Sequence, residues 1–243
     1  AATRAVRKAD KIIAVSISTK NDLIDYLKVK EDKIEVIYEG VDDFFSLIED
    51  MKRIEKTKLK YGIKKRYILS VGTIEPKKNH IRLLNTFVKL KERLKDYQLV
   101  ICGKAGWKTE VFFERLKEIP ENIRKDIIIT DYVSYEDLPL LYNGCDIFIY
   151  PSLYEGFGLP ILEAMRCGVP VITSNVSSMP EVAGDAAILV NPEDEEEIGA
   201  AIIKLLNDRE LRDKLIKKGL ERSKIFTWEN TARQTLKVYK ELH

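Results

Sequence analysis

The sequence predicts an α/β protein built on a doubly wound, parallel, Rossmann-like sheet. Three observations carry this expectation. Short runs rich in β-branched residues recur between amphipathic stretches along the chain. Most of these runs are apolar without alternation, as in "YILSV" at 67–71 and "IFIY" at 147–150, the pattern of strands covered on both faces. The chain has 243 residues, 45% of them hydrophobic, which is ample for a buried core.

In chain order the runs place strands at 11–16, 34–38, 67–71, 98–102, 127–130, 147–150, 169–173 and 187–190. Helical patterns fall at 19–27, 81–95, 109–119, 135–142, 160–166, 193–206, 208–218 and 228–242. Alternation of this kind gives a parallel sheet, and ligands then bind at the carboxyl ends of its strands. Residues 1–50 stand apart. One strand and one helix lead into "KIEVIYEGVDDFF" at 33–45, followed by a charged helix-like run at 46–63. The main domain's first strand is placed at Tyr67.

Composition narrows the function. Charged residues make up 33% of the chain, but the net charge is only +2 and the two signs are interspersed, so no nucleic-acid partner is expected. Cys102, Cys145 and Cys167 lie in or beside apolar runs and form no C-x-x-C. They read as reduced core thiols of a cytoplasmic protein. No apolar run reaches the ~20 residues of a membrane helix, and no signal-peptide pattern is present.

Three glycine-bearing turns follow predicted strands. In "SVGTIEPKKNH", 70–80, Asn79 is expected to cap a helix, leaving Lys78 at a helix N-terminus that already favours an anion. In "VICGKAGWKTE", 100–110, a Walker loop would need glycine five residues before Gly106, where Ile101 stands. In "YEGFGLPILEAM", 154–165, Gly156 and Gly158 let backbone amides approach a ligand, and Pro160 suits a first helical position. The amides of Phe157 and Leu159 make this a plausible diphosphate cradle. Glu155 precedes the turn and Glu163 lies one turn into the helix. Eight helical residues span ~12 Å, more than the ~5–5.5 Å of a retaining glycosidase pair. No G-x-G-x-x-G and no D-x-D occur, so neither a dinucleotide fingerprint nor a carboxylate-held metal is expected. His80 is expected to pack at a helix start rather than bind metal.

With these motifs in hand, the chain resembles the C-terminal half of a group 1 glycosyltransferase (glycosyltransferase family 4, GT-B fold). "ADKIIAVSISTKNDL" resembles the last strand and helix of that family's N-terminal domain, and "KIEVIYEGVD" its interdomain connection. "VGTIEPKKN" resembles the V-G-[TR]-x-x-P-x-K-N segment. The stretch from "YVSYEDL" to "VPVITS" resembles the most diagnostic block, with E-x7-E at Glu155 and Glu163, and "FTWENTARQTLKVYKEL" the closing helix.

The resemblance implies a domain plan: 1–50 a remnant of the N-terminal domain and linker, 51–225 the nucleotide-sugar-binding domain, and 226–243 a helix packing back toward the N-terminal domain. It implies a retaining, metal-independent transferase of a hexose, with no cofactor. The donor is a nucleotide-diphosphate sugar, with GDP-mannose suggested by the "G-T-x-E-P-x-K-N" subset. Lys78 would contact the donor phosphates, Glu163 the ribose hydroxyls and Glu155 the sugar hydroxyls. The amides of Gly156, Phe157, Gly158 and Leu159 would bind sugar and diphosphate. Tyr132 and Val133 would meet the base, and Gly72, Gly103 and Lys104 would line the cleft. Many members carry Arg where this chain has Thr73, so Lys77 or Lys104 is expected to supply the second cation. Lys78 and Glu155 are the catalytic candidates. A glycan or lipid-linked acceptor, and any membrane association, would come through the N-terminal half, and this part alone is expected to transfer sugar poorly. A non-catalytic nucleotide- or sugar-binding module and a UDP-sugar epimerase relative are the alternatives.

Overall fold

The computed structural model describes residues 5, 6 and 8–242. A small parallel pair, β1 (Ile12–Ala14) and β2 (Ile34–Val36), is joined through helix α1 (Ile17–Leu27). Ser16 caps α1 by accepting from the Thr19 amide. This unit has its own small core of Ala14, Val29 and Ile34. Helix α2 (Met51–Lys60) then leads into the main sheet.

That sheet has six parallel strands in the order β5-β4-β3-β6-β7-β8. They are β3 (Arg66–Val71), β4 (Tyr97–Cys102), β5 (Ile127–Ile129), β6 (Ile147–Tyr150), β7 (Val171–Ser174) and β8 (Ala187–Val190). The continuous apolar runs are explained by two cores, one on each face. Tyr67, Leu69, Phe148 and Tyr150 belong to one; Ile68, Ile147 and Ile149 belong to the other. Side chains alternate faces along a strand, so both sets must be apolar when helices cover both sides. Helices α3 (His80–Lys89), α4 (Glu110–Glu118) and α9 (Glu195–Asn207) supply residues to the second core. Helices α6 (Leu138–Gly144), α7 (Leu159–Arg166) and α8 (Met179–Ala183) supply the first. A short α5 (Glu121–Arg124), α10 (Arg209–Ser223) and α11 (Trp228–Glu241) complete the chain.

Strand order reverses between β3 and β6, which pair through Ile68 with Ile147 and Leu69 with Phe148. In open α/β sheets the crevice that takes a ligand lies at the carboxyl ends of such a strand pair, here beside the loops leaving β3 and β6.

Several boundaries differ from the sequence reading. The strand expected from 169 begins at Val171, because Pro170 has no N–H for the ladder; its carbonyl instead accepts from the Phe148 amide. The helix expected from 135 begins at Leu138, and Tyr135 instead stacks on Phe44 with ring centroids 4.8 Å apart. The helix expected to stop at 218 runs through Gly219 to Ser223. Among the described residues, no helix is long and apolar enough to cross a membrane.

Candidate functional site

The first loop of the crevice leaves β3 at Gly72 and closes with a 3-10 turn, Pro76–Lys78. Asn79 follows with φ 60, in the left-handed region, and does not cap α3 with its side chain. The expected cap is corrected on this point: the Asn79 amide donates to the carbonyls of Pro151, 3.0 Å, and Pro192, 2.7 Å. Asn79 thus ties the loop after β3 to the segments after β6 and β8. A backbone bond from the Leu153 amide to the Lys77 carbonyl, 2.8 Å, staples the two crevice loops a second time.

These ties bring Lys78 to Glu155. The Lys78 Nζ donates to Glu155 Oε1 at 2.6 Å and to the Tyr150 hydroxyl at 2.6 Å. Both side chains are largely buried, 12% and 8% exposed. Lys77 lies more openly, with its Nζ 3.4 Å from Glu75 and 3.9 Å from the other Glu155 oxygen. Burial and the Glu155 carboxylate push the Tyr150 hydroxyl well above its ordinary range, so Tyr150 stays protonated beside the ammonium.

Gly158 begins α7 with φ 114, a conformation that favours glycine. Each carbonyl of the preceding turn meets a side-chain hydroxyl. Ser177 donates to the Glu155 carbonyl at 2.7 Å, Ser16 and Thr19 to that of Gly156 at 2.7 and 3.1 Å, and Ser178 to that of Phe157 at 2.6 Å. The amides of Gly156, Phe157, Gly158 and Leu159 have no protein acceptor among the described hydrogen bonds. Glu163 stands one turn on, half-buried, accepting from the Tyr142 hydroxyl at 2.8 Å. Burial raises its carboxyl to about 7, against the smaller pull of the Tyr142 bond.

On the β4 side of the crevice, Gly72, Thr73, Gly103, Lys104, Tyr132 and Val133 line one cleft of about 300 Å³ together with Val71, Cys102, Asp131 and Leu138. The close approach of two backbones makes it: a Cβ on Gly103 would sit 2.0 Å from the Gly72 carbonyl oxygen. The Lys104 ammonium lies over the exposed Tyr132 ring, 4.9 Å from its centroid. Lys104 therefore faces the cleft, whereas Lys77 stands with the Lys78–Glu155 pair.

The sequence-derived candidates thus form two adjoining groups at the β3 and β6 ends. Sequence reasoning missed the hydroxyls of Ser16, Thr19, Ser177 and Ser178, and the tyrosines Tyr142 and Tyr150. The one local signal for the serines was "SNVSSMPE" at 174–181, a polar cluster just after a strand. His80 is buried and packs edge-on against Phe112, with ring centroids 6.3 Å apart. Burial lowers its imidazole to about 3. Cys102 and Cys167 are buried and Cys145 is partly so; burial pushes the Cys102 and Cys167 thiols up to about 12.

Comparison with known proteins gives the family and the fold. A family model described as glycosyl transferases group 1 matches residues 51–222. A second, Glycosyltransferase Family 4, matches residues 1–43. The O-antigen chain mannosyltransferase B of Escherichia coli is 44% identical over 179 residues, covering 72% of this chain and 46% of the relative. The MMP alpha-(1->4)-mannosyltransferase of Mycolicibacterium hassiacum is 32% identical over 249 residues, covering 98% of this chain and 56% of the relative. The chain therefore spans about half the length of these two relatives. A glycosyltransferase from Rickettsia africae superposes with a TM-score of 0.85 at 27% identity, covering 98% of this chain and 66% of that one. Anabaena HepE in complex with UDP-glucose superposes with a TM-score of 0.87 at 19% identity, covering 98% and 65%, a likeness of fold.

Proposed function

The chain belongs to the group 1 glycosyltransferases, and on that premise we propose that it is the donor-binding part of a retaining, metal-independent hexosyltransferase. The mannosyltransferase relatives favour mannose as the hexose, and GDP is the nucleotide proposed to carry it. One observation carries the reading: the Lys78–Glu155 pair and four successive amides with no protein acceptor among the described residues converge where the strand order reverses.

In this reading the base enters the cleft of Tyr132 and Val133, walled by Gly72, Thr73, Gly103 and Lys104. Glu163 accepts from the ribose hydroxyls. The amides from Gly156 to Leu159 bind the diphosphate and sugar, and Glu155 holds sugar hydroxyls. When the anomeric C–O bond breaks, its electron pair stays on the β-phosphate oxygen and the ring gains positive character. The Lys78 ammonium and the fixed amides stabilise the leaving phosphate, a use of preorganised dipoles in a desolvated site. The Glu155 carboxylate positions Lys78 and faces the developing positive charge. Lys77 supplies the second cation that Thr73 does not.

Residues 1–50 are, in the same reading, the end of the acceptor-side domain and the linker. Residues 51–225 form the donor domain, and 226–243 pack back toward the acceptor side. The remainder of the full-length protein would bring the glycan or lipid-linked acceptor, so the present chain binds donor and transfers poorly. The unpaired thiols support a cytoplasmic setting. Titration calorimetry with GDP, UDP and ADP tests the reading. Binding of one of them is expected, and a folded chain that binds none overturns it. For the full-length enzyme, transfer that collapses with a chelator and returns with a divalent ion would overturn metal independence.

A further inference from the structure

We infer that Ser178, together with Ser16 and Thr19 from the segment preceding the donor domain, are positioning residues that aim the amides of the 155–158 turn at the donor diphosphate. The inference rests on the reading above and goes further: it assigns the geometry of the cradle to hydroxyls outside the turn.

A trans peptide points the carbonyl of one residue and the N–H of the next in opposite directions. Fixing a carbonyl therefore fixes the following amide. Ser177 anchors the Glu155 carbonyl, which aims the Gly156 N–H away from it. Ser16, at 2.7 Å, and Thr19, at 3.1 Å, anchor the Gly156 carbonyl and so orient the Phe157 N–H. Ser178, at 2.6 Å from the Phe157 carbonyl, orients the Gly158 N–H. All three aimed amides lack a protein acceptor among the described hydrogen bonds. Glycine at 156 and 158 leaves this turn conformationally free, so its order has to come from outside.

Two of the anchors come from residues 1–43, matched by a different family model from the turn itself. They are held there by burial and by contacts of their own segment with the donor domain. Ser16 and Ser178 are fully buried. The Glu181 carboxylate accepts from the Ile17 amide at 2.8 Å and from the Ser18 amide at 3.3 Å. Tyr154 donates to Asp22 at 2.6 Å. A polar clasp thus runs from the start of α1 to the turn, and the position of that segment sets where the amides point.

The test compares Ser178→Ala, and the double change Ser16→Ala with Thr19→Val, against the unchanged chain. Calorimetry is run with GDP, UDP and ADP and with the matching monophosphates. Each variant is expected to lose about tenfold in affinity for the preferred diphosphate, the worth of one well-made hydrogen bond. Affinity for its monophosphate should stay within about twofold of the unchanged chain's, and Ser178→Thr should restore the loss. Unchanged diphosphate affinity, or equal losses with di- and monophosphate, overturns the inference and leaves the donor reading intact. Failure of the unchanged chain to bind any nucleotide overturns both. A second measurement needs no variant: the amide proton signals of Gly156, Phe157 and Gly158 are expected to shift with the diphosphate and not with the monophosphate. Unshifted signals under saturating diphosphate overturn the inference even where a variant fails to fold.

Discussion

Glu163 works against the stability of the fold that carries it. Burial lifts its carboxyl from 4.5 to about 7. The folded state thus holds a proton that the unfolded state releases between those values. The contribution to stability is complete below about pH 4.5 and is lost as pH rises through 7. The full difference corresponds to roughly 3 kcal/mol. Glu163→Gln keeps the shape and removes the titration. Its melting temperature is expected to exceed the parent's at pH 8 and to match it near pH 4. Its affinity for the preferred nucleotide should fall at least about tenfold, because a neutral amide accepts less strongly than a carboxylate. Thermal melts at the two pH values, paired with calorimetry, check both halves.

Lys78 gives the complementary case. Its ammonium is held by Glu155 and Tyr150. Lys78→Ala is expected to weaken diphosphate binding about a hundredfold, the scale of losing a desolvated charge-assisted contact. The monophosphate should lose far less. Lys77→Ala should cost less than Lys78→Ala, since Lys77 is 44% exposed and solvent screens its charge. Calorimetry on both variants ranks them, and a larger loss at Lys77 would reverse their assigned roles.

At the scale of elements, Gly103 decides how closely the ends of β3 and β4 approach. A methyl there meets a backbone oxygen at 2.0 Å, which cannot rotate away. Gly103→Ala is expected to destabilise by about 1–3 kcal/mol and to weaken binding of even a monophosphate by displacing the cleft wall. Denaturant unfolding and calorimetry would show this; wild-type values for both would mean the two loops separate freely. The same elements show what a sequence can and cannot disclose. Strands β3, β4 and β6 were legible because burial on both faces leaves uninterrupted apolar runs. Lys78, Glu155 and Glu163 were legible as motifs because each sits beside a turn with a glycine or proline signature. Helix α10 outran the range expected from 208 to 218: it continues through Gly219, whose bare Cα lies against Met165, where an added Cβ would be 3.0 Å from Cγ. The Asn79 side chain misled as a cap because its Nδ2 donates to the Pro151 and Pro192 carbonyls, which leaves its Oδ1 accepting from the Arg82 guanidinium at 3.2 Å instead of from the local amides. Ser16 and Thr19 were beyond reach, since Ser16 stands 140 residues from the carbonyl it serves and no period or spacing links them.

The whole molecule combines a large doubly covered sheet with a small appended unit. The first core reaches into the segment between β2 and α2, taking in Val41 and Phe45, with Val15 and Tyr38 packed against it. Beyond those contacts the unit relies on Ala14, Val29 and Ile34 and on the clasp around Ser16. Few buried apolar contacts mean that residues 12–36 should open in a sub-global step below the free energy of the main sheet. Hydrogen exchange can resolve that step residue by residue. The amides of Ile17 and Ser18, bonded to Glu181, and of Thr19, bonded to Ser16, report on the clasp without touching the donor cradle. If opening of this unit releases the 155–158 turn, a diphosphate that binds only the ordered turn must hold the unit closed as well. At a hundred times its dissociation constant the ligand contributes about 2.7 kcal/mol. Exchange at those three amides is then expected to slow by about a hundredfold, a remote effect with no contact of its own. Slowing confined to the loops after β3 and β6 would mean that the small unit opens without disturbing the 155–158 turn.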